Sequence, residues 1–278
     1  MSRSFEHVLV VGAGQMGGGI AQVIASSGRR VSLLDPAPGA VGRALERMQR
    51  SLVKLGVDPG ETLARVAEVG ELDEADLMIE AVVEDVALKQ DVFRRADAAL
   101  PPHAILASNT SAIPIALLAE STARPERVIG MHFFNPVPVL SLVEVIRAAG
   151  TSEETVAAIL TLARDLGKEP VLARDVPGFV ANRILMPFIN EAAYALMEGV
   201  AEAAAIDTVA TLGFAHPMGP LALADLIGLD TCVAIMEVLE LGLGDPRYAP
   251  CPLLRELVAE GRLGRKSGRG FFEHARRM

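Results

Sequence analysis

The sequence predicts a chain in two parts, α/β over residues 1–183 and all-α over residues 184–278. Three observations carry that expectation. A short apolar run, His7-Val8-Leu9-Val10-Val11, passes directly into Gly12-Ala13-Gly14-Gln15-Met16-Gly17, and a second run, Val31–Leu34, ends in Asp35. Apolar runs of strand length then alternate with stretches of helical period as far as about Leu172. Beyond the break Asp175-Val176-Pro177-Gly178-Phe179 only helical patterns follow.

The first of these is G-x-G-x-x-G in the context that gives it meaning, with a strand before it, a helix from about Gln15 to Ser26 after it, and a second strand closing on an acid. This makes the first part a Rossmann-type domain. Gly12, Gly14 and Gly17 allow the tight turn, the close approach of backbone to a pyrophosphate, and the packing of helix on strand. The N–H groups of the helix start, at Gln15 and Met16, supply donors for the phosphate charge. Asp35 favours NAD over NADP, because a carboxylate there accepts from the ribose hydroxyls and repels a 2′-phosphate. The residues after it, Pro36-Ala37-Pro38-Gly39, supply no cation to hold such a phosphate. The glycines alone leave FAD open.

Residues 40–70 read as amphipathic helix, with Val41, Leu45, Met48, Leu52 and Leu55 at helical spacing, a break at Gly56–Gly60, and a second short helix to about Val69. Asp76–Ala81 reads as strand, Glu84–Leu100 as helix, and Ala104–Ala107 as strand. The last ends in Ser108-Asn109-Thr110-Ser111. Open α/β sheets place ligands at such strand ends, although a helix-capping loop is a nearly equal local reading. Glu153–Leu166 reads as helix and Pro170–Leu172 as strand. A long helix to about Glu198 follows, then helices near 202–212, 221–241 and 252–260. Asn182 falls in the first turn after the Pro-Gly break, where a plain polar first-turn residue is the simpler local reading.

Composition bounds the function. The 278 residues suffice for two domains, and a net charge of −9 argues against a nucleic-acid partner. Cys232 and Cys251 have neither metal-ligand spacing nor a disulfide framework, so no metal is expected. Residues Met1–His7 do not form a signal peptide, and no apolar run reaches the length of a membrane span. A cytoplasmic protein is the expectation.

The chemistry points to Val128–Ile146, two apolar strands joined by a proline-rich turn, with His132 at the end of the first and Glu144 inside the second. A carboxylate flanked by aliphatic residues needs a partner, since an unpaired buried charge is costly. Twelve residues of separation let the strands lie side by side, which makes His132 available as that partner. A histidine oriented by a carboxylate is a general base that works near neutral pH. Taken by itself, the segment reads equally well as a core pair that satisfies itself.

These motifs, together with Pro177-Gly178-Phe179-Val180-Ala181-Asn182-Arg183, His216-Pro217-Met218-Gly219-Pro220 and Leu263–Phe271, resemble the 3-hydroxyacyl-CoA dehydrogenase family over nearly the whole chain. The resemblance implies an NAD-dependent enzyme interconverting (S)-3-hydroxyacyl-CoA, 3-hydroxybutyryl-CoA in particular, and 3-ketoacyl-CoA. It implies His132 as base, Glu144 as its partner, and Ser111 and Asn182 near the reacting carbon. Coenzyme contacts are implied at the glycine loop, Asp35, Glu84, Lys89 and Asn109. An acyl-CoA is the implied partner, and the helical domain is implied to line the substrate cleft and form a homodimer. The family's metabolic setting is fatty-acid β-oxidation and butanoate metabolism. Between Leu52 and Asp76 the chain is shorter than the family pattern, and Ser51 and Lys54 are read as standing in for the coenzyme A contacts there. A dehydrogenase of a sugar acid or of carnitine, and a non-catalytic NAD-binding sensor, are the alternatives.

Overall fold

The computed structural model describes residues 5–72 and 74–274; residues 1–4 of the segment read above as carrying no signal peptide lie outside that range. The chain divides into two compact units between Val176 and Pro177. A boundary after residue 183 would cut the first helix of the second unit, which begins at Ala181.

The first unit is one eight-stranded sheet covered by helices. In chain order the elements are β1 (His7–Val11), α1 (Gln15–Ser26), β2 (Arg30–Leu34), α2 (Ala40–Lys54), α3 (Pro59–Leu63), β3 (Val66–Glu68), β4 (Leu77–Glu80), α4 (Val86–Ala99), β5 (Ile105–Ser108), α5 (Ile115–Ala119), β6 (Val128–Phe133), β7 (Leu142–Arg147), α6 (Glu153–Asp165) and β8 (Glu169–Arg174). Strand order across the sheet is β3-β2-β1-β4-β5-β6-β7-β8. Every pairing is parallel except β6 with β7. The near-continuous apolar character of β1, β4 and β5 follows from burial on both faces, as parallel sheets require.

α2 is amphipathic, burying Ala40, Val41, Ala44, Met48 and Leu52 at turn-spaced positions. Asp85 caps α4, its Oδ1 accepting from Leu88 N at 2.8 Å, so that helix starts two residues later than the sequence suggested. The stretch read as helix to Val69 is also different. Val66–Glu68 pairs with β2 as an edge strand, because Val31, Ser32 and Leu33 offer it a free ladder.

The second unit is helical: α7 (Ala181–Met197), α8 (Ala203–Thr208) with a wider turn over Val209–Gly213, α9 (Pro220–Ile227), α10 (Leu229–Leu243) and α11 (Pro252–Ala259). The single helix expected over 221–241 is two, broken at Gly228, whose φ of 107° no continuous helix accepts. Two buried carboxylates tie this unit together. Asp207 accepts from Leu221 N and Ala222 N, both at 2.9 Å, and so caps α9. Asp225 accepts from Phe271 N and Phe272 N at 2.9 Å and pairs with His274 Nε2 at 2.7 Å, fastening the C-terminal segment to α9. Cys232 and Cys251 are buried and unbridged, and burial with the charges of Asp230 and Asp225 pushes the Cys232 thiol up to about 12.

Candidate active site

Strands β1 to β6 run parallel and deliver their C-terminal ends to one edge, where the glycine loop, Asp35, the Ser108–Ser111 segment and His132 lie. The glycine loop leaves β1 at Gly12, which has φ +103° and lies so near β4 that a methyl group on it would come 2.6 Å from the Ala81 carbonyl oxygen. A methyl group on Gly17 would lie 1.8 Å from the Gly12 carbonyl, so this glycine serves the packing of α1 on its strand. Gly14 is the opposite case, with open space around it and no side-chain cap over the helix start it precedes. Bare backbone donors at Gln15 and Met16, beside open space, fit the pyrophosphate of a dinucleotide.

Asp35 is fixed at the end of β2. Its Oδ2 accepts from Ala13 N at 2.7 Å and its Oδ1 from Ala37 N at 2.9 Å. It borders a mainly apolar cavity of about 660 Å³ lined by Val11, Leu34, Val69, Val82 and Val83, of a character suited to an adenine ring.

β6 and β7 place His132 and Glu144 as direct register partners. The ring Nδ1 lies 2.8 Å from Glu144 Oε2, and the two residues are 8% and 1% exposed. An ionised carboxylate only accepts, so Nδ1 carries the hydrogen and Nε2 is the basic atom of the ring. Phe134 packs against the imidazole with ring centroids 4.6 Å apart. Asn109 braces the same edge, its Oδ1 accepting from Phe133 N at 2.9 Å.

Beneath Ser111 runs a buried polar network that sequence reasoning only half found. Glu80, fully buried, accepts from Lys89 Nζ at 2.6 Å, Ser108 Oγ at 2.7 Å and Val82 N at 2.7 Å. Lys89 Nζ also lies 3.2 Å from Glu84 Oε2. Glu84 Oε1 in turn accepts from Thr110 Oγ1 at 2.5 Å, Ser111 N at 3.0 Å and Ser111 Oγ at 3.4 Å. Burial pushes the Glu84 carboxyl up, but the Lys89 ammonium and the bonds from Thr110 and Ser111 outweigh it and hold the group below its ordinary value. Lys89, expected as a coenzyme contact, is 1% exposed, with its ammonium between the carboxylates of Glu84 and Glu80. Glu80 stands in the sequence within Ile79-Glu80-Ala81, a stretch that shares in the family resemblance, but as one acid at the end of an apolar run it points to no role there.

Ser51 and Lys54 sit at the C-terminal end of α2, Lys54 exposed. The hairpin beyond is short, with α3 only a single turn. Asn182 lies in the first turn of α7 in the helical unit, largely buried. Two residues not singled out in the sequence join the glycine loop: Asn135, whose Oδ1 accepts from Gln15 Nε2 at 2.9 Å, and Arg47, whose Nη2 donates to Ala13 O at 2.7 Å.

A glycine loop with an acid at the second strand end, on a parallel sheet, defines a dinucleotide-binding oxidoreductase. Comparison with known proteins makes this specific. Residues 7–176 match the 3-hydroxyacyl-CoA dehydrogenase NAD binding domain and residues 178–274 the C-terminal domain of that family. A probable 3-hydroxybutyryl-CoA dehydrogenase of Bacillus subtilis is 52% identical over 279 residues, covering 97% of each chain. A 3-hydroxybutyryl-CoA dehydrogenase of Bradyrhizobium diazoefficiens is 45% identical, covering 99% of this chain and 97% of its own. The crystal structure of (S)-3-hydroxybutyryl-CoA dehydrogenase from Ralstonia eutropha superposes with a TM-score of 0.94 at 46% identity, over 98% of this chain and 100% of that one. The chain belongs to the 3-hydroxyacyl-CoA dehydrogenase family.

Proposed function

We propose that this protein interconverts (S)-3-hydroxyacyl-CoA and 3-ketoacyl-CoA, with 3-hydroxybutyryl-CoA as its principal substrate. The observation that carries the reading is the His132–Glu144 pair, 2.8 Å apart on the sheet that also bears the glycine loop. The family and the relatives named for 3-hydroxybutyryl-CoA supply the substrate class.

In the oxidising direction His132 Nε2 takes the proton of the C3 hydroxyl while the C3 hydrogen departs as hydride. The nicotinamide of NAD, when bound, accepts that hydride. Glu144 keeps Nδ1–H turned inward and stabilises the imidazolium that forms. Ser111, held at its N–H by Glu84, hydrogen-bonds the C3 oxygen and fixes its position. Asn182 keeps the role the family resemblance gives it, a second hydrogen bond to the substrate. In reduction His132 enters protonated and donates. Gly12, Gly14, Gln15, Met16, Gly17, Asp35, Glu84, Lys89 and Asn109 form or support the coenzyme site, and Ser51 and Lys54 meet coenzyme A.

Exposed apolar side chains on the helical unit, Leu212 and Leu241 among them at 82% and 87%, support a homodimer through residues 184–278. No helix among the described residues is long and apolar enough to cross a membrane. A cytoplasmic role in β-oxidation or butanoate metabolism rests on the family resemblance. Oxidation of NADH on addition of acetoacetyl-CoA, followed by absorbance, tests the activity. Absence of turnover over a series of acyl lengths would overturn it.

A further inference from the structure

In the sequence the nearest cation after Asp35 is Arg43, and the intervening Pro36–Gly39 carries no charge. Folding removes that separation. α2 starts at Ala40, and Arg43 and Arg47, one turn apart on it, line the same hollow of about 650 Å³ as Asp35, Ala37 and Gly14. Both guanidiniums are held in place. Arg47 Nη2 donates to Ala13 O at 2.7 Å and Gly14 O at 3.3 Å, while Arg43 Nη1 donates to Pro38 O at 3.1 Å. The Ala13 peptide is therefore gripped at both ends, its N–H by Asp35 and its carbonyl by Arg47.

Asp35 and Gly14 also border the apolar cavity on the other side. An adenosine whose base occupies that cavity has its ribose at Asp35, and a substituent on the ribose 2′-oxygen is directed toward the cationic hollow. Two fixed guanidiniums there outnumber one carboxylate. Guanidinium is the side chain best matched to a phosphate, through paired N–H donors.

We infer that Arg43 and Arg47 form a latent seat for the 2′-phosphate of NADPH, and that Asp35 alone keeps the coenzyme choice with NADH. The inference rests on the reading of Asp35 as the ribose partner. Arg43 and Arg47 supply the attraction and Asp35 the repulsion, so neutralising the acid without changing its shape opens the seat. The Oδ1 of an asparagine at position 35 still accepts one of the two backbone N–H groups, which keeps the loop in place.

Fluorescence titration of the whole protein with NADH and with NADPH tests this without relying on turnover. Asp35→Asn should tighten NADPH about tenfold and weaken NADH several-fold. Adding Arg43→Met and Arg47→Met in that background should remove most of the NADPH gain. In the otherwise unaltered protein, Arg43→Met alone should weaken NADPH several-fold at low ionic strength and leave NADH within about twofold, a readout independent of how Asp35→Asn folds. An NADPH affinity unmoved by Asp35→Asn, a gain that survives loss of both arginines, or an Arg43→Met effect equal for the two coenzymes would each overturn the seat. Failure of the unaltered protein to bind NADH at all would overturn the underlying coenzyme reading as well.

Discussion

Two histidine–carboxylate pairs among the described residues have almost the same length, His132–Glu144 at 2.8 Å, buried in the sheet unit, and His274–Asp225 at 2.7 Å, with a buried acid and a half-buried histidine, in the helical unit. Their surroundings differ. Asp225 also accepts two backbone N–H groups from Phe271 and Phe272, and its histidine is the last described residue of the segment it fastens. That pair is a clasp. His132 and Glu144 stand opposite each other on antiparallel strands that need no clasp, since the ladder already joins them. A carboxylate placed on a histidine where the backbone is already satisfied acts on the histidine itself, which is what the proposed role of His132 as base requires and what a clasp does not.

The sharpest way to break the comparison is to remove each imidazole in turn. His132→Ala should lower kcat by on the order of a hundredfold or more with NADH affinity nearly unchanged, because proton transfer is lost and coenzyme binding is not. His274→Ala should leave kcat within about twofold and show its effect in thermal melting instead. Equal kinetic losses in the two variants would mean that both pairs, or neither, take part in the chemistry.

Exchanging the acids sharpens the contrast. Asp225→Ala leaves two backbone N–H groups without their acceptor and should cost about 2–3 kcal/mol of stability, read by denaturant titration. Glu144→Gln retains an acceptor for Nδ1–H and removes the charge. It should lower kcat by about tenfold, less at high pH, where the imidazole starts neutral, with a smaller loss of stability than Asp225→Ala. A larger stability loss from the Glu144 change would mark that pair as the structural one.

Acidification probes the network beneath Ser111. The Glu84 carboxyl is held below its ordinary value of 4.5, so its contribution to stability is complete above that pH and is lost as the pH falls through the lowered folded value. Denaturant midpoints of Glu84→Gln and of the unaltered protein should therefore draw together as the pH falls below 4.5. Midpoints that move apart as the pH falls below 4.5 would contradict this account. The smallest effect expected is at Lys54. Lys54→Ala should raise KM for acetoacetyl-CoA several-fold at low salt with kcat little changed, and an unchanged KM would return Lys54 to the role of a solvated helix residue.

Much of this was legible in the sequence because the signals are local. The glycine loop, the acid closing β2, and the spacing that brings His132 to Glu144 each lie within a few dozen residues. What escaped depends on distant partners. Val66–Glu68 is a strand because β2 leaves an edge for it, and three partly exposed residues have no period of their own to announce it. Glu80 reads only as a strand end, and the pairing of Lys89 with it has no local signal, until Ser108, Glu84 and Val82 close around them. Arg43 and Arg47 count as remote from Asp35 along the chain and become its neighbours because α2 begins where it does.

The single antiparallel pairing in the sheet has a consequence for how the molecule tolerates change. Side chains along a strand alternate between faces, so the meeting of His132 with Glu144 depends on parity. One residue inserted between Leu142 and Glu144 would bring a valine opposite the imidazole and turn the acid to the other face. One residue added near Val139, exposed in the connection before β7, leaves that parity intact. Between the anchors that Lys168 sets at the Val137 and Leu140 carbonyls, the exposed Val139 is where an added residue is best tolerated, while the residues of β7 are counted off one by one.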